Sequence, residues 1–311
     1  TWGAEVFPGS SLPNAMVQVS PVTKFHSGAG YQYEDSVIYG FTHTNKGHWN
    51  LCHIPLLPVT GTPTPGDYCS PFSHERESAA PGYYQVFLDR YGVDAQLSST
   101  LRCAFHKYTY PAGAAASLLA DLQRSNEHVR AWDIRKEGDN VFAGWQQTGE
   151  KMYFYAVANR PVTGIEPVVE GDREVRIVRF GEGDGALELR IGFSFVSEKN
   201  ARENLEAEML GKSFAEVRSE ATATWNDLLG RIRVEGGTER EKGLFYSSLY
   251  RSFLWPALRS DVNGEFTDVD GKVINPGFRY YTGPSYWDDY RNKLILLGML
   301  APDVAADVIS S

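Results

Sequence analysis

The fold is decided where Leu187-Glu188-Leu189-Arg190-Ile191-Gly192-Phe193-Ser194-Phe195 gives way to Asn200-Ala201-Arg202-Glu203-Asn204-Leu205. The first run alternates apolar with polar or small residues, which is typical of a half-buried strand. The second opens a segment rich in helix formers that Gly211 ends. This change of period marks the end of a β region and the start of a helical one.

The region before this change contains short β-rich runs and turn sequences with no helical pattern between them. Turn residues such as Pro81-Gly82 and Gly61-Thr62-Pro63 separate the runs. Many short strands in this order predict a β-sandwich over residues 1–196. Besides residues 187–195, the predicted strands are Met16–Ser20, Val37–Thr42, Ile54–Val59, Tyr83–Asp89, Arg102–Tyr110, Met152–Ala158 and Arg173–Phe180.

After the sandwich, two capping boxes predict where helices begin. Ser213 with Glu216 precedes a helix that ends at Gly230, and Thr238 with Glu241 precedes a second helix. Trp255-Pro256 ends the second helix, because a proline disfavours helical backbone in the residue before it. The apolar positions of these helices recur at helical spacing: Phe214, Val217, Ala221, Trp225, Leu228, Phe245, Leu249 and Phe253. Ile232–Val234 between the helices is predicted to be a short strand.

The last part of the sequence predicts a hairpin and two more helices. Asn263-Gly264 and Asp270-Gly271 are turn signals within residues 260–282. One helix is predicted from Ser285 and another from Ala301-Pro302-Asp303. We therefore expect a β domain (1–196), a helical linker (197–237) and the opening helices of an α domain (238–311). Such helices cannot bury all their apolar faces against one sandwich, so we expect the rest of the polypeptide to be their partner.

Composition and charge limit the function. The chain has 311 residues, of which 42% are hydrophobic and 13% aromatic, and its formal net charge is −9. An acidic chain without a basic stripe disfavours a nucleic-acid partner, and the absence of a run of about eighteen apolar residues argues against a membrane span. The opening Thr1-Trp2-Gly3 suggests a processed or trimmed start. Cys52, Cys69 and Cys103 have irregular spacing, which favours three buried thiols, although one disulfide stays open for an exported protein.

Ser285-Tyr286-Trp287-Asp288-Asp289-Tyr290-Arg291 is the main candidate binding segment. An indole can stack on a sugar ring while carboxylates and a guanidinium bind its hydroxyls. Adjacent acids on a helix diverge by about 100°, so Asp288 and Asp289 cannot flank one glycosidic bond as a catalytic pair. We therefore assign Trp287, Asp288, Asp289 and Arg291 to substrate binding. The alternative is structural, since Ser285 and Asp288 also have the spacing of a helix cap.

A second candidate is the loop sequence that runs from Tyr39 to Asn50. Its imidazole, amide and indole groups suit sugar recognition, because they combine directed hydrogen bonds with stacking area. The candidate contacts are His43, Asn45, Gly47, His48 and Trp49. Turn chemistry and strand packing are the alternative, and a metal site at His43, His48 and His53 fits no common zinc spacing.

Other conspicuous side chains have simpler interpretations. The alternation of the strand predicted at Arg102–Tyr110 favours solvent-facing side chains for Arg102, His106 and Lys107. Trp132, Trp145 and Trp225 are expected in the hydrophobic core.

Taken together, these motifs resemble glycoside hydrolase family 92, the exo-acting α-mannosidases. The matching stretches occur in the family's order along nearly the whole chain. They include Ile38-Tyr39-Gly40-Phe41-Thr42-His43-Thr44, Phe72-Ser73-His74-Glu75, Val234-Glu235-Gly236-Gly237-Thr238, Ser260-Asp261-Val262-Asn263-Gly264 and Trp287-Asp288.

The resemblance implies a β-sandwich, a helical linker and the first helices of an (α/α)6 barrel that is incomplete here. It also implies a calcium-dependent, inverting enzyme that acts on mannose-containing glycans, with α-1,2 linkages favoured, and that is exported from the cell. Asp288 would bind mannose, and the loop around His48 would meet the leaving sugar. The general acid, the general base and the calcium ligands would lie beyond residue 311, so the chain alone would be inactive. A non-catalytic sugar-binding sandwich is the alternative.

The chain departs from the family pattern in both candidate segments. The usual His-x-His-x-Ser-Gly-x-Gly loop is replaced by the residues that run from His43 to Asn50, which changes the expected leaving-sugar contacts. Asp289 adds a second carboxylate where the family commonly has threonine.

Overall fold

The structure is a computed structural model that describes residues 6–46, 49–183, 185–282 and 292–310, with only the backbone described at residues 45, 46 and 49. The strands are β1 Ser10–Ser11, β2 Gln18–Val22, β3 Val37–Ile38, β4 Gly40–Thr42, β5 Asn45–Lys46, β6 Trp49–Asn50, β7 Leu56–Val59, β8 Ser70–Pro71, β9 Glu77–Ala80, β10 Tyr83–Leu88, β11 Val93–Ser99, β12 Cys103–Thr109, β13 Ser117–Ala120, β14 Ala131–Lys136, β15 Val141–Gln147, β16 Lys151–Ala158, β17 Val162–Glu170, β18 Arg173–Phe180, β19 Leu187–Ser194, β20 Phe266–Thr267 and β21 Val273–Ile274. The α-helices are α1 Glu198–Glu208, α2 Phe214–Leu229, α3 Glu239–Ser252, α4 Lys293–Leu300 and α5 Pro302–Ser310, and a 3-10 turn covers His74–Arg76.

Two large antiparallel sheets confirm the predicted β-sandwich. One has the strand order β1-β2-β4-β7-β13-β18-β17, and the other has the order β14-β15-β16-β19-β12-β11-β10-β9. Strand β16 shows how the sequence builds the core, since Met152, Phe154, Ala156 and Ala158 are buried while the residues between them are half-exposed. Period-two alternation places these four side chains between the sheets.

Helices α1 and α2 cover the outer face of the eight-stranded sheet. Phe105 on β12 packs there with Leu205 of α1 and with Phe214 and Val217 of α2 in a second buried cluster. A Cβ at Gly192 of β19 would lie 2.1 Å from the carbonyl oxygen of Ala201. Glycine at this position therefore lets α1 approach the sheet backbone closely.

Both predicted capping boxes are confirmed. Ser213 and Glu216 bond each other's backbone N–H groups at the start of α2, and Thr238 and Glu241 do so at the start of α3. The hairpin predicted within residues 260–282 is also confirmed, by the pairing of β20 with β21.

The prediction of a strand at Ile232–Val234 is wrong. The Tyr246 hydroxyl of α3 donates to the Ile232 carbonyl and accepts from the Val234 N–H. A side chain therefore satisfies backbone groups that a neighbouring strand would otherwise bond. The predicted strand Val37–Thr42 is divided at Tyr39, because β3 pairs with β8 whereas β4 pairs with β2 and β7.

Candidate functional site

The loop that contains His43 starts at the end of β4 and is held at its base by backbone hydrogen bonds. The His43 N–H donates to the His53 carbonyl at 3.2 Å, and the Gln18 N–H donates to the His43 carbonyl at 3.1 Å. Below the loop, the Asn50 carboxamide bonds the Thr42 hydroxyl and accepts from the Cys52 N–H at 2.7 Å. Both ends of the loop are therefore fixed to the seven-stranded sheet.

The His43 side chain points into the sandwich and is fully buried. Its Nε2 lies 3.0 Å from Nε2 of His106, whose Nδ1 lies 2.5 Å from the Tyr108 hydroxyl oxygen. Within the described ranges, the Nδ1 atom of His43 has no hydrogen-bond partner. At His43 Nδ1, a lone pair without a partner costs less than an N–H without a partner. We therefore place the His43 proton on Nε2, which donates to His106 Nε2, and the His106 proton on Nδ1, which donates to the Tyr108 hydroxyl.

Burial keeps this pair of imidazoles neutral. Desolvation lowers the pKa of His43 from 6.5 to about 3, and it lowers the pKa of His106 well below its usual range. The His43 side chain therefore lies in the core of the sandwich. Its direct contact with a substrate remains a prediction.

His53 links the loop to two turns of the sandwich. Its Nδ1 bonds the Thr44 hydroxyl at 2.8 Å, and its Nε2 lies 3.0 Å from the Glu127 carboxylate and 3.1 Å from the Thr148 hydroxyl. Thr148 also donates to Glu127 at 2.6 Å. The imidazole thus joins β-strand ends that are far apart in the sequence.

Residues 253–261 cross the edge of the sandwich, and we call this segment the seam. Asn14 Nδ2 donates to the Pro256 carbonyl at 2.8 Å, and Gln18 Nε2 donates to the Leu254 carbonyl at 3.0 Å. Because Gln18 also holds the His43 carbonyl, the seam and the His43 loop share one anchor.

Asp261 fixes the other end of this segment. Its buried carboxylate accepts from the Ser194 hydroxyl at 2.6 Å, from Asn200 Nδ2 at 2.9 Å and from Asn204 Nδ2 at 2.7 Å. Desolvation raises the pKa of Asp261, while these three donors oppose the shift. One carboxylate therefore ties the seam to both β19 and α1.

The prediction that Arg102 and His106 face water is wrong, and only Lys107 is partly exposed. Arg102 Nε donates to the Ser260 carbonyl at 2.7 Å, and Nη1 pairs with Glu208 at 2.6 Å. His106 is buried because it lies on the inner face of the sheet, where it meets His43, and Arg102 is buried because α1 and the seam cover the end of its strand.

Arg259 is the most unusual side chain of the seam. Its side chain is only 5% exposed, and its Cζ lies 4.1 Å from the centre of the Phe195 ring. The Glu150 carboxylate lies 3.8 Å from its Nη2 atom, and this acid is 62% exposed. Burial lowers the pKa of the guanidinium.

Most of the predicted binding residues lie outside the described part of the chain. These residues are Gly47, His48, Trp287, Asp288, Asp289 and Arg291. For Asn45 and Trp49 only the backbone is described, in the two-stranded hairpin of β5 and β6. Thr282, directly before the undescribed segment, donates its N–H to the Ala257 carbonyl in the seam at 2.8 Å.

Sequence reasoning missed Glu127, Thr148, Glu150 and Arg259, which the structure places around the seam. Glu127, Thr148 and Glu150 lie in polar turns, where such side chains are common, and no local motif marks Arg259. Only the pairing of strands brings them together.

The predicted core positions of the tryptophans are confirmed for Trp225 alone, which is 1% exposed and donates from Nε1 to the Ser11 carbonyl. Trp132 is only partly buried and packs against the edge of the core, and Trp145 is partly buried with the Lys151 ammonium 3.6 Å from its ring centre. Among the described residues, the three cysteines are free; Cys52 and Cys103 are buried and Cys69 is partly exposed.

Comparison with known proteins identifies the family. A family model of the glycosyl hydrolase family 92 N-terminal domain matches residues 1–204, and a model of the family's catalytic domain matches residues 200–311. The chain belongs to glycosyl hydrolase family 92.

Solved family 92 structures share this fold. The family 92 α-mannosidase BT3965 from Bacteroides thetaiotaomicron is 26% identical with a TM-score of 0.92, over 99% of this chain and 47% of that chain. The family 92 inverting mannosidase BT2199 from Bacteroides thetaiotaomicron VPI-5482 is also 26% identical with a TM-score of 0.87, over 100% of this chain and 45% of that one. An uncharacterized secreted glycosidase from Arthroderma benhamiae is 25% identical over 85% of this chain and 41% of its own length. The family 92 chain described here spans less than half the length of these relatives.

None of the helices within the described ranges is long and apolar enough to cross a membrane.

Proposed function

We propose that the polypeptide containing this chain is an exo-acting, inverting α-mannosidase that releases mannose from α-mannosides such as N-glycan or mannan branches. The supporting observation is the fit of the whole chain to solved family 92 mannosidases, one of which is described as inverting. We further propose α-1,2 linkages as substrate. An exported location agrees with the relative that is described as secreted.

In this proposal the chain supplies half of a substrate site. Residues 1–196 are the sandwich, 197–237 the linker and 238–311 the start of an (α/α)6 catalytic domain. Asp288 binds mannose hydroxyls, Trp287, Asp289 and Arg291 shape that subsite, and the loop with Asn45, His48 and Trp49 meets the leaving sugar. A carboxylic acid and a carboxylate from the remaining polypeptide protonate the leaving oxygen and activate water in a single displacement.

Calcium dependence is part of the proposal only through the family. Among the described residues, no three His, Cys, Asp or Glu side chains are grouped so that they could hold a metal ion. We therefore propose that the calcium ligands lie elsewhere in the polypeptide.

The test compares the full-length polypeptide with residues 1–311 on α-linked mannobioses. We expect the full-length protein to release mannose, the product to appear first as the β-anomer by NMR, and residues 1–311 to be inactive. Prior treatment with EDTA should abolish activity, and added calcium should restore it. Initial release of α-mannose would contradict inversion. Binding of mannobiose without hydrolysis by the full-length protein would favour the non-catalytic sugar-binding sandwich.

A further inference from the structure

Arg259 carries an unsatisfied charge at the seam. Its Nε and Nη1 atoms are buried, and no residue in the described part of the chain supplies them with a hydrogen-bond acceptor. The Glu150 carboxylate is 3.8 Å from Nη2, which is longer than a charge-assisted hydrogen bond. Burying a cation without full hydrogen bonding is costly, so a fold keeps such a group only where something else compensates the cost.

The backbone around Arg259 shows which groups share its surroundings. Leu258 forms an antiparallel bridge with Tyr281, both are buried in the core, and Arg259 follows Leu258 directly. Because side chains alternate along paired segments, Arg259 and Thr282 point to the same face, away from that core. The hydroxyl of Thr282 is also buried, and none of the residues that the structure describes forms a hydrogen bond with it. Two unsatisfied polar groups therefore occur on one face of the seam.

The neighbours of Arg259 favour a neutral ligand. Glu150 is mostly exposed, so the pair lies just beneath the surface, where one oxygen-rich molecule can reach both the cation and the acid. Glu127 acts electrostatically on Arg259 as well, and the chain has a net charge of −9. A phosphate or carboxylate bound to the guanidinium would be repelled by these acids, whereas a sugar hydroxyl can both accept and donate.

We propose that Arg259 and Glu150 form a clamp for two neighbouring hydroxyl groups of a neutral sugar ring in the glycan substrate. The guanidinium N–H groups donate to one hydroxyl oxygen, and the Glu150 carboxylate accepts from the adjacent hydroxyl, with Phe195 holding the guanidinium plane from one side. This assigns the turn between β15 and β16 of the sandwich to substrate recognition. The clamp rests on the proposed function, because it needs a sugar substrate.

The test measures the Kd of an α-linked mannobiose by calorimetry for the full-length polypeptide and its variants, at a temperature where circular dichroism shows all of them folded. We expect Arg259→Met to weaken binding by about ten- to a hundredfold and Glu150→Gln by about tenfold, which is typical of hydrogen bonds to charged groups. Arg259→Met should leave Tm unchanged or raise it, because it removes an incompletely paired buried cation. Arg176→Met is the matched control. The Nε of Arg176 is also buried and has no partner among the described residues, but its guanidinium pairs with Glu174 on β18.

Three outcomes would overturn the clamp: an unchanged Kd in either variant, a lowered Tm in Arg259→Met, or tighter binding of a mannose phosphate than of the neutral sugar. If the wild-type protein hydrolyses mannobiose and the variants bind it with unchanged Kd, the clamp is refuted but the proposed function stands. A wild-type protein that neither binds nor hydrolyses any α-mannoside would refute both.

Discussion

At the scale of single residues, buried polar side chains hold the candidate site together. His43 and His106 form a neutral pair inside the sandwich, and Asp261 accepts three hydrogen bonds at the seam. The histidine pair lies at the base of the His43 loop, and Asp261 lies at the end of the seam. Both of these parts of the chain lead toward the candidate site. Their protonation states therefore affect how the site is positioned even though they need not touch a substrate.

The histidine pair should make the protein sensitive to mild acid. Both pKa values are lowered in the folded state, His43 to about 3, whereas an unfolded histidine titrates near 6.5. Between these values the unfolded state binds more protons, so stability is complete above pH 6.5 and falls as the pH decreases, by about 1.4 kcal/mol per pH unit for each histidine. We expect His106→Gln to reduce the slope of unfolding free energy against pH by up to about one such increment between pH 6.5 and 5, with most of the reduction at the acid end, measured by urea denaturation. The same change at exposed His128 is the control for replacing a surface histidine. A slope in His106→Gln equal to that of the unmodified chain would show that the pair titrates normally.

At the scale of elements, local sequence signals determine where the helices begin. The Ser213 and Thr238 caps join residues three positions apart, so the sequence alone contains all the information that they need. Hydrogen bonding to the cap lowers the pKa of Glu216 and Glu241. The caps are therefore strongest above the pH at which an unfolded glutamate titrates, and they weaken as the pH falls through the lower folded value.

Removal of one cap should have a moderate and predictable effect. Ser213→Ala leaves the Glu216 N–H without its acceptor, and we expect a loss of about 1 kcal/mol of unfolding free energy. Ser219→Ala within the same helix is the matched control, because this exposed serine caps nothing and alanine has the higher helix propensity. Chemical denaturation of both variants gives the comparison. Equal stability of the two would mean that the start of α2 is held by packing alone.

The limits of sequence reasoning also appear at this scale. Strands and caps are predicted well because period and capping act within a few residues. The strand predicted at Ile232–Val234 fails because one distant side chain, Tyr246, bonds its backbone. Arg102 is misplaced because alternation does not reveal that α1 and the seam cover its surroundings. Glu150 and Arg259 meet only after β15 and β16 have paired, so no local pattern could have indicated their contact.

At the scale of the whole molecule, the sandwich has a complete core whereas the helices do not. Ile295 and Met299 of α4 and Ile309 of α5 are each more than half exposed, as is Leu244 of α3. Such apolar side chains on neighbouring helices are typical of a surface that another part of a protein covers. The relatives are more than twice as long as this chain, and we propose that a further part of the polypeptide covers these helix faces.

Side chains on the exposed faces of α4 and α5 should therefore be less accessible to solvent in the full-length polypeptide than in residues 1–311. We expect a cysteine placed at Met299 (72% exposed) or Ile309 (86%) to react rapidly with a thiol reagent in residues 1–311 but slowly in the full-length polypeptide. A cysteine at Val269, which is 96% exposed in the loop between β20 and β21, should react rapidly in both and serves as the control for unfolding. The buried thiols of Cys52 and Cys103 contribute little background, and the unmodified chain corrects for Cys69. Equal rates at Met299 and Ile309 in the two proteins would show that these helix faces stay in solvent, and the added polypeptide would then have to pack against another part of the seam.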